Sequence, residues 1–202
     1  MPRMLLPTDA FRRILRRRQA WGGDRKDEVW NGVYVMAPDA DNTHQELTFL
    51  LAAAIRSALG PVRNVRIQTG GNVSDRADRW RKNYRCPDVL VLLPGCAAVD
   101  KGTHYLGGPD FAVEIVSPGD RSRKKLDFYA KVGVRELLIV DRDPWKLELY
   151  RLDQGKLNLV GVQGLDDPEP LRSEVLLLSL LLTPGKTRPE IVITRDGGVW
   201  RA

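Results

Sequence analysis

Two short apolar runs flank a charged segment in the middle of the chain, and this constrains the fold more than any other feature. Phe111–Val116 (FAVEIV) and Glu136–Asp141 (ELLIVD) have the length and composition of strands covered on both faces. The residues between them suffice for one helix, and strand, crossover helix, strand makes a parallel pair with the helix lying across the sheet. A third run, Asp88–Leu93, is bounded by Pro87 before it and Pro94-Gly95 after it, which sets its ends. These runs predict an α/β fold with a central mixed sheet flanked by helices.

The strand period then locates a charge. Phe111, Val113 and Ile115 share one face of their strand, and Ala112, Glu114 and Val116 share the other. Glu114 is therefore a carboxylate in the middle of an apolar sheet, where it must be paired, protonated or bound to a metal. Asp88 is a second such acid. At 100° per residue, Leu126, Tyr129, Ala130 and Gly133 fall on one face of a helix from about Ser122 to Val132, and Lys124, Asp127 and Lys131 fall on the other. Lys125 lies at the edge of the apolar face, beside Tyr129, and is the lysine that looks back over the sheet. Gly133 ends the helix. Two acids and a lysine converging at strand ends suit metal-dependent phosphodiester hydrolysis: hard oxygens hold Mg²⁺, and an ammonium offsets developing charge. They equally suit a buried Glu114–Lys125 salt bridge with no chemistry.

The order Pro87-Asp88, Glu114, then a lysine resembles the PD-(D/E)XK nuclease superfamily. The run E-I-V-S-P from Glu114, Lys125 four residues before Tyr129, and G-V-x-E followed by I-V-D resemble more closely its large bacterial family of restriction endonuclease-type proteins, the Uma two family. The likeness extends from about Glu28 to Arg151. It implies a restriction endonuclease-like core and Mg²⁺-dependent endonucleolytic cleavage of DNA, with Mn²⁺ as a substitute. Asp88 would be the first metal-binding acid, Glu114 the second and Lys125 the catalytic lysine. Two residues after Glu114, where the superfamily pattern places its lysine, stands Val116, so the lysine comes from the helix. Leu137-Leu138 stand where the family usually has aromatic residues. The resemblance also implies that the helix carrying His44 borders the active site, and it makes Glu28 a supporting acid of that site or a structural ion partner. The alternative is a nucleic-acid-binding or regulatory module of the same fold that does no chemistry.

With 202 residues and 43% hydrophobic content the chain predicts one domain, 1–202, in which an N-terminal helix and a C-terminal tail pack on the core at about 28–151. A net charge of +6 and a pI near 9.5 suit an anionic partner such as DNA. Cys86 and Cys96 form neither a C-x-x-C pair nor part of a histidine cluster, which argues against zinc and redox roles. No apolar run reaches membrane-spanning length, and Met1-Pro2-Arg3-Met4 is not followed by a signal-peptide core, so the expected location is the cytoplasm.

The remaining segments extend this outline. Thr8 or Asp9 can cap a first helix with Phe11, Ile14 and Leu15 inward and Arg12, Arg13, Arg16, Arg17 and Arg18 largely outward, either solvated or facing phosphate. Asn31-Gly32 between alternating residues predicts a hairpin. Thr43–Leu59 is the longest predicted helix, with an apolar face through Leu47, Leu51 and Ile55, ended by Gly60-Pro61. His44 and Glu46, taken as residues alone, read as cap or surface groups more readily than as catalytic ones, whereas the resemblance makes His44 a supporting residue of the site. Val62–Gln68 reads as a strand. Between Asp75 and Arg85, Arg79, Arg81, Lys82 and Arg85 alternate with Trp80 and Tyr84, a composition that suits either a nucleic-acid-facing loop or a solvated hairpin. Leu147–Leu152 and Lys156–Val160 read as paired strands. Glu174–Leu182 is strongly apolar and should close the core or form a homodimer contact, an arrangement suited to double-strand cleavage.

Overall fold

The computed structural model of the chain describes residues 8–37, 40–60, 62–117 and 121–202. Met1–Met4, the Thr8 side chain, Pro61 and Pro118 lie outside the described residues, and with them the expected cap at Thr8 and the Pro61 part of the expected helix stop.

The central sheet has six strands in the order Lys156–Gly164, Trp145–Asp153, Glu136–Arg142, Phe111–Ile115, Val89–Leu92 and Arg66–Thr69. It is mixed: Phe111–Ile115 and Glu136–Arg142 run parallel, with Ile139 opposite Glu114, and the other neighbours are antiparallel. All three predicted central strands are therefore present and adjacent. Their alternation divides the interior in two. Phe111, Val113 and Ile115 pack with Leu47, Leu51 and Ile55, whereas Ala112 packs with Phe128 and Tyr129. Glu114 points to the second of these layers, where Tyr129 lies.

Among the described residues there are three α-helices: α1 (Thr8–Trp21), beside the hairpin, where Phe11 meets Tyr34, and α2 (Asn42–Ala58) and α3 (Leu126–Val132), which pack on the central sheet. Asp41 caps α2 by accepting the His44 N–H at 2.8 Å. Asp9 sits in the first turn of α1, inside the helix. The helix expected over Ser122–Val132 is two elements: Ser122–Lys125 is a tighter 3₁₀ turn, and α3 begins only at Leu126. Gly133 closes α3 with φ of 85°, a left-handed conformation that favours glycine. The 3₁₀ turn is pinned from outside the site. Arg123 donates to Glu148 at 2.9 and 2.8 Å and to Asp141 at 2.9 Å, and Tyr150 donates its hydroxyl to Glu148 at 2.9 Å.

Among the described residues there are two further sheets. One runs Val33–Val35, Glu28–Trp30, Tyr84–Arg85, Val73–Ser74, Tyr105–Leu106 and Val99–Asp100. It includes the Asn31-Gly32 hairpin, where both turn residues have positive φ. The other is antiparallel, in the order Leu171–Ser173, Leu178–Thr183, Glu190–Arg195 and Gly198–Arg201. The segment expected as a tail is thus a four-stranded sheet, and Leu178, Leu180 and Leu182 enter the same core as α2. The strand expected over 62–68 is confined to Arg66–Thr69, because Asn64 takes a positive φ that breaks the extension before it.

Two outcomes are expected. Leu180→Ala should cost about 2–5 kcal/mol in urea unfolding, as a cavity in a shared core does, and a loss near zero would show that the C-terminal sheet is only an appendage. Burial alone would raise the Glu148 carboxyl, but Arg123, Lys146 and Tyr150 outweigh it and hold the group down to about 2. A depressed acid contributes stability above its unfolded value near 4.5 that is lost as the pH falls toward 2. Glu148→Gln should therefore flatten the acid limb of a melting-temperature profile between those values.

Candidate functional site

Five residues singled out in the sequence border one cavity of about 350 Å³: Glu28, His44, Asp88, Glu114 and Lys125. They come from five places in the chain. Glu28 starts a strand of the hairpin sheet, His44 lies in the first turn of α2, and Asp88 sits one residue before Val89–Leu92. Glu114 is in the middle of Phe111–Ile115, and Lys125 ends the 3₁₀ turn. All five are buried.

Lys125 is the hub. Its Nζ stands 3.0 and 2.9 Å from the two Glu114 carboxylate oxygens and 3.0 Å from Glu28 Oε1. The 3₁₀ turn is what aims it: with Arg123 held by Glu148 on the outside, the next buried position of the turn faces the sheet. Glu114 also accepts a hydrogen bond from the Tyr129 hydroxyl. Glu28 uses its two oxygens to accept the Cys86 N–H at 2.8 Å and the Trp30 indole N–H at 2.6 Å. It is therefore both a structural ion partner and a wall of the cavity.

Asp88 is held separately. Its Oδ2 accepts the Ile115 N–H at 2.8 Å and lies 3.2 Å from His44 Nε2, and its Oδ1 accepts from Lys26 at 3.3 Å. His44 is thus neither a cap nor a surface residue. Thr48, one turn on, donates to its backbone carbonyl at 2.8 Å and approaches its Nδ1 at 3.4 Å.

The two acids titrate in opposite directions. Burial pushes Glu114 up to about 7, against the pull of Lys125, and the neighbouring charges of Asp88 and Glu28 add to the rise. Burial works the same way on Asp88, but the hydrogen bond from His44, the Lys26 ammonium and the Ile115 N–H win and hold it below its usual value. Lys125 sits above its ordinary value: burial opposes its charge, and Glu114 and Glu28 more than compensate. Burial also raises the Cys86 thiol to about 12, so it is no thiolate nucleophile.

Three carboxylates thus meet two ammonium groups. An acid-rich, oxygen-lined cavity suits a hard divalent cation, because Mg²⁺ is commonly held through one or two carboxylates plus water and substrate oxygens. Among the described residues, no three His, Cys, Asp or Glu side chains are grouped as a ready-made metal cage. Asp88 and Glu114 both line the cavity and carry hard oxygen donors of the kind such an ion takes.

The other candidates do not converge on this cavity. Arg79, Trp80, Arg81 and Lys82 lie in and beside a short 3₁₀ turn, Trp80–Lys82, with the three cations exposed and Trp80 half-buried, stacked on His104 at 4.8 Å. Arg85 is different from its neighbours in the run. It is buried, with its guanidinium 4.5 Å from the Trp30 ring centroid and 4.2 Å from that of Phe128, and it donates to the Val29 carbonyl at 2.9 Å. It is an internal cation and cannot face a nucleic acid. Glu46 is exposed and lies near Arg188, away from the cavity. Lys26 escaped the sequence reading because it stands in a mixed charge run, D-R-K-D-E, with no periodicity to orient it.

Replacing Lys125 by methionine leaves Glu28 and Glu114 buried without their shared cation, and should cost about 3–5 kcal/mol in urea unfolding at pH 8. An acid with a raised pKa contributes stability at low pH that is lost as the pH rises, here from about 4.5 through 7. The loss should shrink at pH 5.5, where Glu114 takes up a proton. Equal losses at both values would contradict this account of the charge.

The sequence matches the model of the family described as "Uma2: Putative restriction endonuclease" over residues 16–184. Among solved structures, the chain is similar to a "putative nuclease" from Anabaena variabilis, at 19% sequence identity and a TM-score of 0.59, covering 75% of this chain and 83% of that one. At that identity the likeness is one of fold. No curated protein gives a significant match. The family match spans most of the sequence and takes in all five cavity residues, and so the chain belongs to the Uma2 family of the PD-(D/E)XK nuclease superfamily.

Proposed function

We propose that the protein is a Mg²⁺-dependent endonuclease that hydrolyses DNA phosphodiester bonds. The observation that carries this reading is the convergence of Asp88, Glu114 and Lys125, from three separate elements, on one cavity. In it, Asp88 and Glu114 would hold the ion, with a backbone carbonyl next to Glu114 as a further oxygen donor. The chemistry such an ion supplies is polarisation of the phosphate and a lowered pKa for water.

The remaining work falls to the chain itself. The Ile115 N–H and His44 fix the orientation of Asp88, and Tyr129 fixes that of Glu114. Lys125, kept protonated by Glu114 and Glu28, acts as a cation: it donates to the attacking water and offsets charge developing on the phosphoryl oxygens. Lys26 is half-exposed at the edge of the cavity, and releasing Asp88 frees its ammonium for a substrate phosphate. Arg79, Arg81 and Lys82, with Trp80, supply exposed cations and a ring for contacts outside the cavity.

One observation favours a second reading, a module of the same fold that binds nucleic acid and does no chemistry. Both acids are already satisfied by protein donors without an ion. Cleavage separates the two. Incubated with supercoiled plasmid and Mg²⁺, the wild-type protein should nick or linearise it, EDTA should stop the reaction, and Asp88→Asn and Glu114→Gln should each lower the rate by about 10²-fold or more. Cutting that survives either substitution would refute the assignment.

A further inference from the structure

The charge on α1 is arranged in a way that the cavity does not explain. Arg12, Arg13, Arg16 and Arg17 are all exposed, and they form two like-charged pairs four residues apart on the outer side of the helix. Such pairs repel and destabilise an isolated helix. Among the described residues, none of the four has a carboxylate partner, and the acidic residue of the helix is Asp9, in its first turn. At 1.5 Å of rise per residue, the four guanidinium groups occupy about 7.5 Å of helix axis. Duplex DNA offers one negative charge per about 1.7 Å, so the densities are comparable.

The inner side of α1 is tied to the cavity wall. Arg18 donates to both oxygens of Asp27, at 2.9 and 2.7 Å, and to the Ala37 carbonyl at 3.0 Å. Phe11 packs edge-on against Tyr34 at 5.7 Å, and Tyr34 itself donates to Asp27. The Asp27 side chain is fully buried and stands between Lys26, which touches Asp88, and Glu28, which touches Lys125. The basic helix is therefore fixed to the stretch of chain that lines the cavity.

We propose that the outer face of α1 is a docking surface for the phosphate backbone of duplex DNA, with Arg12, Arg13, Arg16 and Arg17 as its contacts. This rests on the reading of DNA as the partner and adds the surface that holds it. An anionic membrane surface suits α1 less well, because insertion needs a free apolar face and Phe11 is committed to Tyr34.

The test is a salt series of fluorescence-anisotropy titrations of the full chain, in EDTA, with a labelled duplex. One variant changes the four arginines to glutamine, which preserves helix propensity. A control variant changes the exposed Lys101, Lys156, Arg172 and Lys186 to glutamine, removing the same charge elsewhere. The α1 variant should show a log K against log salt slope shallower by about 3–4, and affinity lowered about tenfold or more at 0.1 M salt, while the control changes far less. Should the fourfold variant fail to fold, Arg12→Gln/Arg16→Gln and Arg13→Gln/Arg17→Gln should each remove about half of the slope difference. Wild-type binding with the same slope in the α1 variant would overturn the surface and leave the nuclease reading standing. Equal weakening in the control variant would also overturn it, as would wild-type binding to phosphatidylserine vesicles but not to duplex. Absence of any duplex binding by the wild type would remove both the surface and the DNA partner.

Discussion

The fold depends on one buried ammonium group. Lys125 bridges Glu114, on the parallel strand of the central sheet, and Glu28, on the hairpin sheet beside it. Both acids are buried, and Lys125 is the cation they share, so its loss would leave their like charges without it. The lysine therefore joins two sheets that share no strand.

The same ionic arrangement connects outward in both directions. Arg123, Asp141 and Glu148 hold the turn from the solvent side, and Tyr129 holds Glu114 from the helix side. Asp88 forms a second, weaker centre with His44 and Lys26, through which α2 and the loop before the hairpin sheet meet the central sheet. Beyond Lys26, Asp27 carries the connection to Arg18 and so to α1. Glu28, Asp27 and Lys26 thus give three consecutive residues three different partners, which is why a short hairpin entry organises so much of the cavity.

Much of this was legible in the residues, for definite reasons. A charge in the middle of FAVEIV has few physical options, so Glu114 announced itself, and helix phase picked Lys125 over Lys124. Pro87 and Pro94-Gly95 framed the Asp88 strand correctly to within one residue. The failures have equally definite causes. Arg85 shares its composition with exposed neighbours, and only the three-dimensional approach of Trp30 and Phe128 takes it inside. Lys26 and Asp27 stand in a charge run without period. The C-terminal sheet was missed although Asp196-Gly197, between IVIT and GVWR, is a hairpin signal of the same kind as Asn31-Gly32, and its two residues do take positive φ. His44 drew attention through the resemblance and not through its own surroundings, since nothing local foretells that Asp88 will come to meet it.

The central claim is that Asp88 and Glu114 together hold a divalent cation. Calorimetric titration of Mn²⁺ into the wild-type protein, and into Asp88→Asn and Glu114→Gln with folding verified by circular dichroism, tests it without requiring the right substrate. One saturable site in the wild type, lost in both folded variants, is the predicted result. No binding to the wild type, with or without duplex DNA, or binding that persists in both variants, would contradict it.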